Sequence, residues 1–359
     1  MSAAGPIGTP AAAVPSAPRA HGSPACTGLI RSRPEDFAVE EILGFEPDGE
    51  GPHTLVHVRK IGANTDWAAR RLARAAGISA RDVGFCGLKD RCAVATQWFS
   101  LPGAPDLDRE ALSADGLEIL ERFPHGRKLR RGAHAGNRFR LRVRECSGHA
   151  ADIEARLRTI ACRGVPNYFG EQRFGRDGGN LGLARAMASG RKLDRRKRGF
   201  ALSAARSAIF NAVLARRVVR GDWDRLVPGD LAILDGTASW FPVDQVDAET
   251  VARLERLDLH PSGPLWGDGP PPVSGDPLRL ELEIAAELQD LVACLGGMRL
   301  RQERRPLRLS VSELQWQVDD GELALGFRLP RGAFATTVLA ELVGAPESPA
   351  TQTPGLSSR

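Results

Sequence analysis

Between Asn137 and Arg144 the chain alternates without a break: Asn137, Phe139, Leu141 and Val143 fall on one side, Arg138, Arg140, Arg142 and Arg144 on the other. A two-residue period is that of a strand, so this segment predicts one with an apolar and a basic face. Apolar runs before Gly87 and over Thr96–Leu101 predict two more strands with a loop between them, and Leu323–Leu329 predicts another. Helical spacing marks other stretches. Asp66–Ala76 is filled with alanine and arginine, with Thr65 or Asp66 to cap it and Gly77 for a left-handed exit. Ala151–Ile160 and Ser203–Arg217 predict two further helices, the second with Ser203 as its cap and Ile209, Phe210, Val213 and Leu214 on one stripe. Leu280–Leu295 and a final segment around Ala335–Leu342 follow the same period, whereas His260–Asp276, rich in proline and glycine, predicts a connector. Helices and strands succeed one another irregularly, without a βαβ rhythm. That order predicts an α+β architecture with a mixed, largely antiparallel sheet.

Composition sets the scale. With 359 residues and 42% hydrophobic content, the chain can bury a sizeable core, in two domains. Net charge is only +5, but the basic residues cluster. Eight Lys or Arg and no acid lie between His125 and Arg144, six surround Asp194 between Arg191 and Arg198, and five accompany Glu303 between Arg299 and Arg308. Any one cluster can be a solvated face; three together favour a polyanion such as nucleic acid. The four arginines of the alternating strand project along ~20 Å, where they can follow phosphates or meet acids on an adjoining strand. Six cysteines form no C-x-x-C and the seven histidines lack companion spacing, so no metal site is expected. No apolar stretch reaches eighteen residues, and the N-terminus lacks the basic start and apolar core of a secretory signal. The expectation is a cytoplasmic protein with free thiols and no membrane contact. Residues 1–26 and 345–359 are expected to be disordered tails, because Ala-, Pro- and Gly-rich or Pro-, Ser- and Thr-rich sequence buries too little to order itself.

The segment GLKDRCAVATQW, Gly87–Trp98, sets Asp90 between Lys89 and Arg91. Neighbouring positive charge favours an ionised carboxylate, the state needed by a nucleophile or a charge-stabilising group. A solvated turn, with the aspartate bonded to its own backbone, is the plain alternative. The P-loop pattern is absent, GRDGGNLG from Gly175 lacks the P-loop lysine, and the H-x-E and P-C-x-x-C of zinc deaminases are missing. Nucleotide hydrolysis and deamination are thereby poor fits.

The Asp90 loop is one of a series in fixed order: RSRPEDFAVEE from Arg31, GFEPDGEG from Gly44, the loop itself, GNRF from Gly136, VPNYFGEQRFG from Val165, LSAARSAIFN from Leu202 and LPRGAFAT from Leu329. Together they resemble the tRNA pseudouridine synthase D (TruD) family, from about Thr27 to about Val343. The resemblance implies an isomerase that converts the uridine at position 13, in the D arm of transfer RNA, to pseudouridine. It implies a pseudouridine synthase catalytic domain over 27–164 plus 310–344, interrupted by an inserted TruD-specific α+β domain over 165–309, with RNA held in a cleft between them. Asp90 would be the catalytic aspartate, attacking the sugar or assisting a glycal-like intermediate, on a nucleotide flipped out of its stack.

The family's usual lysine before P-E-D-F is Arg31 here, which keeps the charge and adds a bidentate fork. Arg31 can pair with Asp90, pair with Glu35 or contact phosphate, and Lys89 is expected to offer charge to the RNA. Phe139 matches the aromatic of the family's N-x-F motif, placed against the target base, and Asn137 on the same strand face offers an amide to the uracil. Arg138 and Arg140, together with Tyr168 and Arg173 of the VPNYFGEQRFG motif, are expected to face RNA, with a packed hinge as the alternative for Tyr168. The reaction breaks a C–N glycosidic bond and rejoins the base through carbon with no net redox change, so no cofactor is expected. Transfer RNA is the expected partner and a monomer the expected state; a non-catalytic tRNA-binding or tRNA-folding protein is the alternative function.

Overall fold

A computed structural model describes residues 17–344, and these fall into two compact units. One comprises residues 24–157, 311–332 and 342–344; the other, 17–23, 158–310 and 333–341. The first unit holds a ten-stranded sheet: β1 (Cys26–Ile30), β2 (Phe37–Ile42), β3 (His53–Ile61), β4 (Gly84–Phe85), β5 (Val94–Pro102), β6 (Leu117–His125), β7 (Gly136–Ser147), β8 (Ser312–Asp319), β9 (Glu322–Pro330) and β10 (Val343–Gly344). Its main path runs β8-β9-β7-β2-β5-β3-β6, with β1 against both β7 and β10 and β4 against β5. Only β2–β5 and β1–β10 are parallel pairs, which makes the sheet mixed and largely antiparallel, as the element order predicts.

The alternating segment forms β7, with Asn137, Phe139, Leu141 and Val143 buried. Helix α1 (Thr65–Ala75) covers one end of the sheet. Its cap is Asn64, whose side chain accepts from the Trp67 amide at 2.8 Å, one residue earlier than expected. Ala68, Ala69, Leu72 and Ala73 pack onto Val56, Val58, Phe99, Leu101 and Leu117, and burial of Leu72 alone contributes about 1.5–3 kcal/mol. This packing places the first turn of α1 over the loop that carries Asp90.

The second unit is organised around helix α2 (Arg195–Arg220). It starts eight residues before the expected Ser203, capped by Asp194, whose carboxylate accepts from the Lys197 amide at 2.9 Å. Ala201, Ala204, Ala205, Ala208, Ile209, Phe210, Val213 and Leu214 form its buried face. The expected single helix over 280–295 is two, Gly275–Glu287 and Gln289–Leu295, broken at Leu288.

Two expectations are corrected. The segment from His260 contains a strand, Leu259–Leu265, paired to Leu231–Leu234 over its first half and to Glu303–Pro306 over its second. Pro261 is tolerated because its carbonyl accepts from the Leu307 amide at 2.8 Å while the missing N–H falls where the strand changes partner. Residues 17–26 of the supposed N-terminal tail are ordered: the Glu341 carboxylate accepts from the amides of Ala20 and His21, His21 Nε2 lies 2.8 Å from the Gly164 carbonyl, and Cys26 begins β1. A low-complexity run is held here by backbone donors meeting one carboxylate, which composition does not register. Residues 1–16 and 345–359, the rest of the expected tails, lie outside the described residues. The expected inserted domain over 165–309 compares with 158–310 in the second unit, which also takes 333–341 from the chain's end.

Candidate active site

The loop from Gly87 to Asp90 is pinned from both sides by buried polar contacts. Gln97 of β5 donates from Nε2 to the Gly87 carbonyl at 2.6 Å, and its Oε1 accepts from Thr65 Oγ1 at 3.0 Å. Thr65 Oγ1 in turn accepts from the Lys89 amide at 2.9 Å. Helix start, strand and loop thus share one hydrogen-bond chain. Lys60, fully buried on β3, directs Nζ to the Ala63 carbonyl at 2.5 Å and the Asp90 carbonyl at 3.4 Å. Burial, with Lys89 nearby, pushes the Lys60 ammonium down to about 8, against the pull of Asp90.

Asp90 is left 28% exposed at the end of this scaffold. Its Oδ1 accepts from the Cys92 amide at 3.2 Å, and Oδ2 lies 3.1 Å from Arg31 Nη1. Of the partners open to Arg31 in the sequence, the structure selects Asp90. Arg31 leaves β1 with φ of +62°, a left-handed conformation costing a non-glycine residue roughly 1–2 kcal/mol. Its guanidinium lies 4.1 Å from the centroid of the Phe37 ring, so one planar cation bridges an aromatic face and a carboxylate.

The two cations flanking Asp90 part company. Arg91 is exposed and bonds the Gly62 carbonyl, whereas Lys89 turns inward, its Nζ 2.5 Å from Glu41 Oε2 with both side chains buried. Lys89, expected to offer charge to RNA, is instead neutralised by a buried carboxylate. Desolvation raises the Glu41 carboxyl above its ordinary range, with Lys89 and the Trp98 amide opposing. Buried His134 lies beside this pair, and burial, with Lys89 and Arg331, pushes its imidazole down to about 4. A side chain at Gly87 would meet Lys89 Nζ, His134 Cε1 and Glu41 Oε2 within 3.4 Å, close contacts that glycine avoids.

Asn137 sits opposite Glu41 in the β2–β7 register, and its Oδ1 is buried without a hydrogen bond among the described residues. Phe139, 6% exposed, lies edge-to-face against Phe37 at 6.1 Å and tilted against Phe327 at 5.5 Å. The chain of contacts Asp90, Arg31, Phe37, Phe139 therefore brings together three of the expected residues.

The arginine face resolves differently. Arg138 meets Glu313 and Glu40, Arg142 meets Glu322, and Arg144 forks onto Asp36 while also reaching Glu322. Arg140 lies opposite Ala38 and Gly326, exposed, with no acid against it among the described residues. Acidic neighbours, rather than open phosphate sites, answer three of the four arginines. In the second unit Tyr168 is buried with its hydroxyl on the Pro18 carbonyl at 3.3 Å, a packed position rather than an RNA-facing one. Arg173 is half-buried, donating to Ser203 Oγ at 2.9 Å with its guanidinium 5.2 Å from the Phe169 centroid.

Glu41, Lys60, Gln97 and His134 are not singled out in the sequence, and Thr65 is marked there only as a helix cap. Glu41 is a charged residue on an inward-facing strand position, in phase with Phe37 and Val39, and that phase is the signal that could have found it. Lys60, in phase with Val56 and Val58, carries the same mark.

Comparison with known proteins bears on what this arrangement does. The family profile described as tRNA pseudouridine synthase D (TruD) matches residues 17–188 and 183–342. The tRNA pseudouridine synthase D of Methylococcus capsulatus is 49% identical over 331 residues, covering 91% of this chain and 94% of that protein. That of Ectopseudomonas mendocina is 46% identical over 342 residues, covering 94% and 97%. A crystal structure of a Methanosarcina mazei protein described as tRNA pseudouridine synthase D shares the fold, with a TM-score of 0.68 at 22% identity over 90% of this chain and 95% of that one.

Proposed function

The chain belongs to the tRNA pseudouridine synthase D family, and we propose that it converts the uridine at position 13, in the D arm of transfer RNA, to pseudouridine with Asp90 as its catalytic carboxylate. As a tRNA pseudouridine synthase it is an isomerase. The observation that carries the assignment of Asp90 is its ion pair with Arg31 on a rigidly held, part-exposed loop.

In the reaction the C1′–N1 bond of uridine breaks, the uracil turns, and C5 bonds to C1′; the proton lost from C5 is balanced by one gained at N1. Positive charge develops on the sugar as the glycosidic bond opens. A carboxylate beside C1′ stabilises that charge directly, whether it bonds to C1′ or removes the 2′ proton to give a glycal. Arg31 keeps one carboxylate oxygen in place, and the Cys92 amide fixes the other. Asn137 offers an unsatisfied acceptor of the kind the N3–H of uracil requires, and Phe139 supplies apolar wall. Arg140 and Arg173 are the members of the expected RNA-facing set whose charges no acid neutralises among the described residues.

The same proposal includes a monomer acting in the cytoplasm. Among the described residues no helix is long and apolar enough to cross a membrane. Mapping pseudouridine in unmodified transfer RNA treated with wild type and with Asp90→Asn tests the reading.

A further inference from the structure

Three basic clusters mark the sequence, and the structure gives them different fates. In the first, Arg138, Arg142 and Arg144 of β7 are matched by Glu40, Glu313, Glu322 and Asp36. In the third, Arg304 lies buried on Glu281, and Arg308 is buried against His260 and the carbonyls of Leu254 and Leu259. The cluster at 191–198 is exposed at every position but Leu193. Among the described residues its one ion pair is Lys197 with Asp194, at 3.6 Å.

Stability does not explain this cluster. Arg195, Arg196, Lys197 and Arg198 occupy the first turn of α2, where the helix dipole opposes cations. Gly199 follows, although nothing lies within 4 Å of where its side chain would be, so packing does not demand it; glycine there costs about 0.5–1 kcal/mol relative to alanine. Phe200 follows that, with 47% of its surface exposed and Arg196 stacked at 5.7 Å from its ring. Arg195, Arg196, Gly199 and Phe200 turn away from the buried face formed by Ala201, Ala204 and Ala208. Ser203, one turn beyond Gly199, holds Arg173, which extends the positive charge along the helix.

Cations flanking an exposed aromatic ring, beside a bare stretch of backbone, form a surface suited to unstacked nucleotides: phosphates meet the arginines and a base lies on the ring. We propose that this flank of α2 is a docking platform for an unpaired segment of the transfer RNA substrate, with Arg195 and Arg196 on the phosphates and Phe200 under a base. The inference rests on the proposed function and adds to it a surface of the second unit that holds the RNA.

The test is binding of an unmodified transfer RNA transcript across a range of KCl concentrations, with pseudouridine formation by wild type measured in parallel. The double variant Arg195→Glu/Arg196→Glu is expected to weaken binding about tenfold or more and to reduce the log–log salt slope by about 0.7–0.9 for each phosphate that is no longer neutralised. Phe200→Ala is expected to weaken binding about 5- to 150-fold with the slope unchanged, and Phe200→Trp to restore it. All three positions are exposed, and unchanged circular dichroism and thermal unfolding would verify the fold. Wild type that binds and modifies the transcript, with variants equal to it in affinity and slope, overturns the platform alone. Wild type that neither binds nor modifies it overturns the proposed function, and the platform with it.

Discussion

Arg31 Nη1 lies 3.1 Å from Asp90 Oδ2 while the same guanidinium covers the Phe37 ring at 4.1 Å. One side chain thus ties the candidate catalytic loop to the aromatic row that continues through Phe139 to Phe327. It does so from a left-handed backbone position that arginine disfavours. A strained residue at this point is consistent with selection for position rather than stability.

That geometry separates activity from stability at residue 31. Arg31→Met removes a charge-assisted bond worth about 1.5–3 kcal/mol, so kcat/KM for transfer RNA is expected to fall roughly 10- to 150-fold. Arg31→Gly loses the same bond but relieves the backbone, and is expected to be about 1 kcal/mol more stable to urea than Arg31→Met while no more active. Equal stability of the two variants would remove strain from the account.

Lys89 and Glu41 make the opposite case. Because each is the other's buried partner, Lys89→Met is expected to cost about 3–5 kcal/mol in denaturant unfolding, and Glu41→Leu in the same chain to recover much of it. The salt dependence of transfer RNA binding should not change in the folded double variant. A reduced salt slope there would return Lys89 to the RNA.

Lys60 carries a pH signature. Its ammonium is pushed down to about 8 in the folded protein against an ordinary 10.5, so between those values the unfolded chain holds a proton that the folded protein has released. Stability attributable to this site therefore rises with pH through that window, and the penalty present below it is about 3 kcal/mol. Urea unfolding at pH 7.5 and pH 10 should show wild type gaining about 2 kcal/mol on Lys60→Met. A gap that does not move with pH would mean that Lys60 is solvated.

The arginine face of β7 is predicted to be mostly structural. Arg142→Glu, at the partner of Glu322, should leave the salt slope of RNA binding unchanged, while Arg140→Glu should lower it by about 0.7–0.9. Equal effects of the two reversals would mean that the ion pairs open when RNA binds.

How far the sequence is legible depends on whether a signal is local. The β7 alternation predicts both its strand and its faces, and α1 and Ala335–Leu342 follow from period and punctuation. What one strand cannot reveal is its neighbour: the acids that meet Arg138, Arg142 and Arg144 come from Asp36, Glu40, Glu313 and Glu322, in other parts of the chain. The same holds at the site. Asp90 stands out because its flanking charges are adjacent in sequence, yet the inward turn of Lys89 is decided by Glu41, on a strand two places from β3 in the sheet. The strand at Leu259–Leu265 is hidden because Pro261 sits where the strand changes partner and offers its carbonyl, not an amide, there.

If Asp90 performs the isomerisation, its carboxylate is needed for turnover and not for holding the RNA. The most direct measurement incubates wild type and Asp90→Asn with unmodified transfer RNA, without added cofactor, and maps pseudouridine at single-nucleotide resolution beside a binding assay. Modification of the position 13 uridine by wild type alone is expected, with binding by the variant largely retained. Pseudouridine formed by Asp90→Asn at the wild-type rate, or none formed by wild type that binds the RNA, would contradict it.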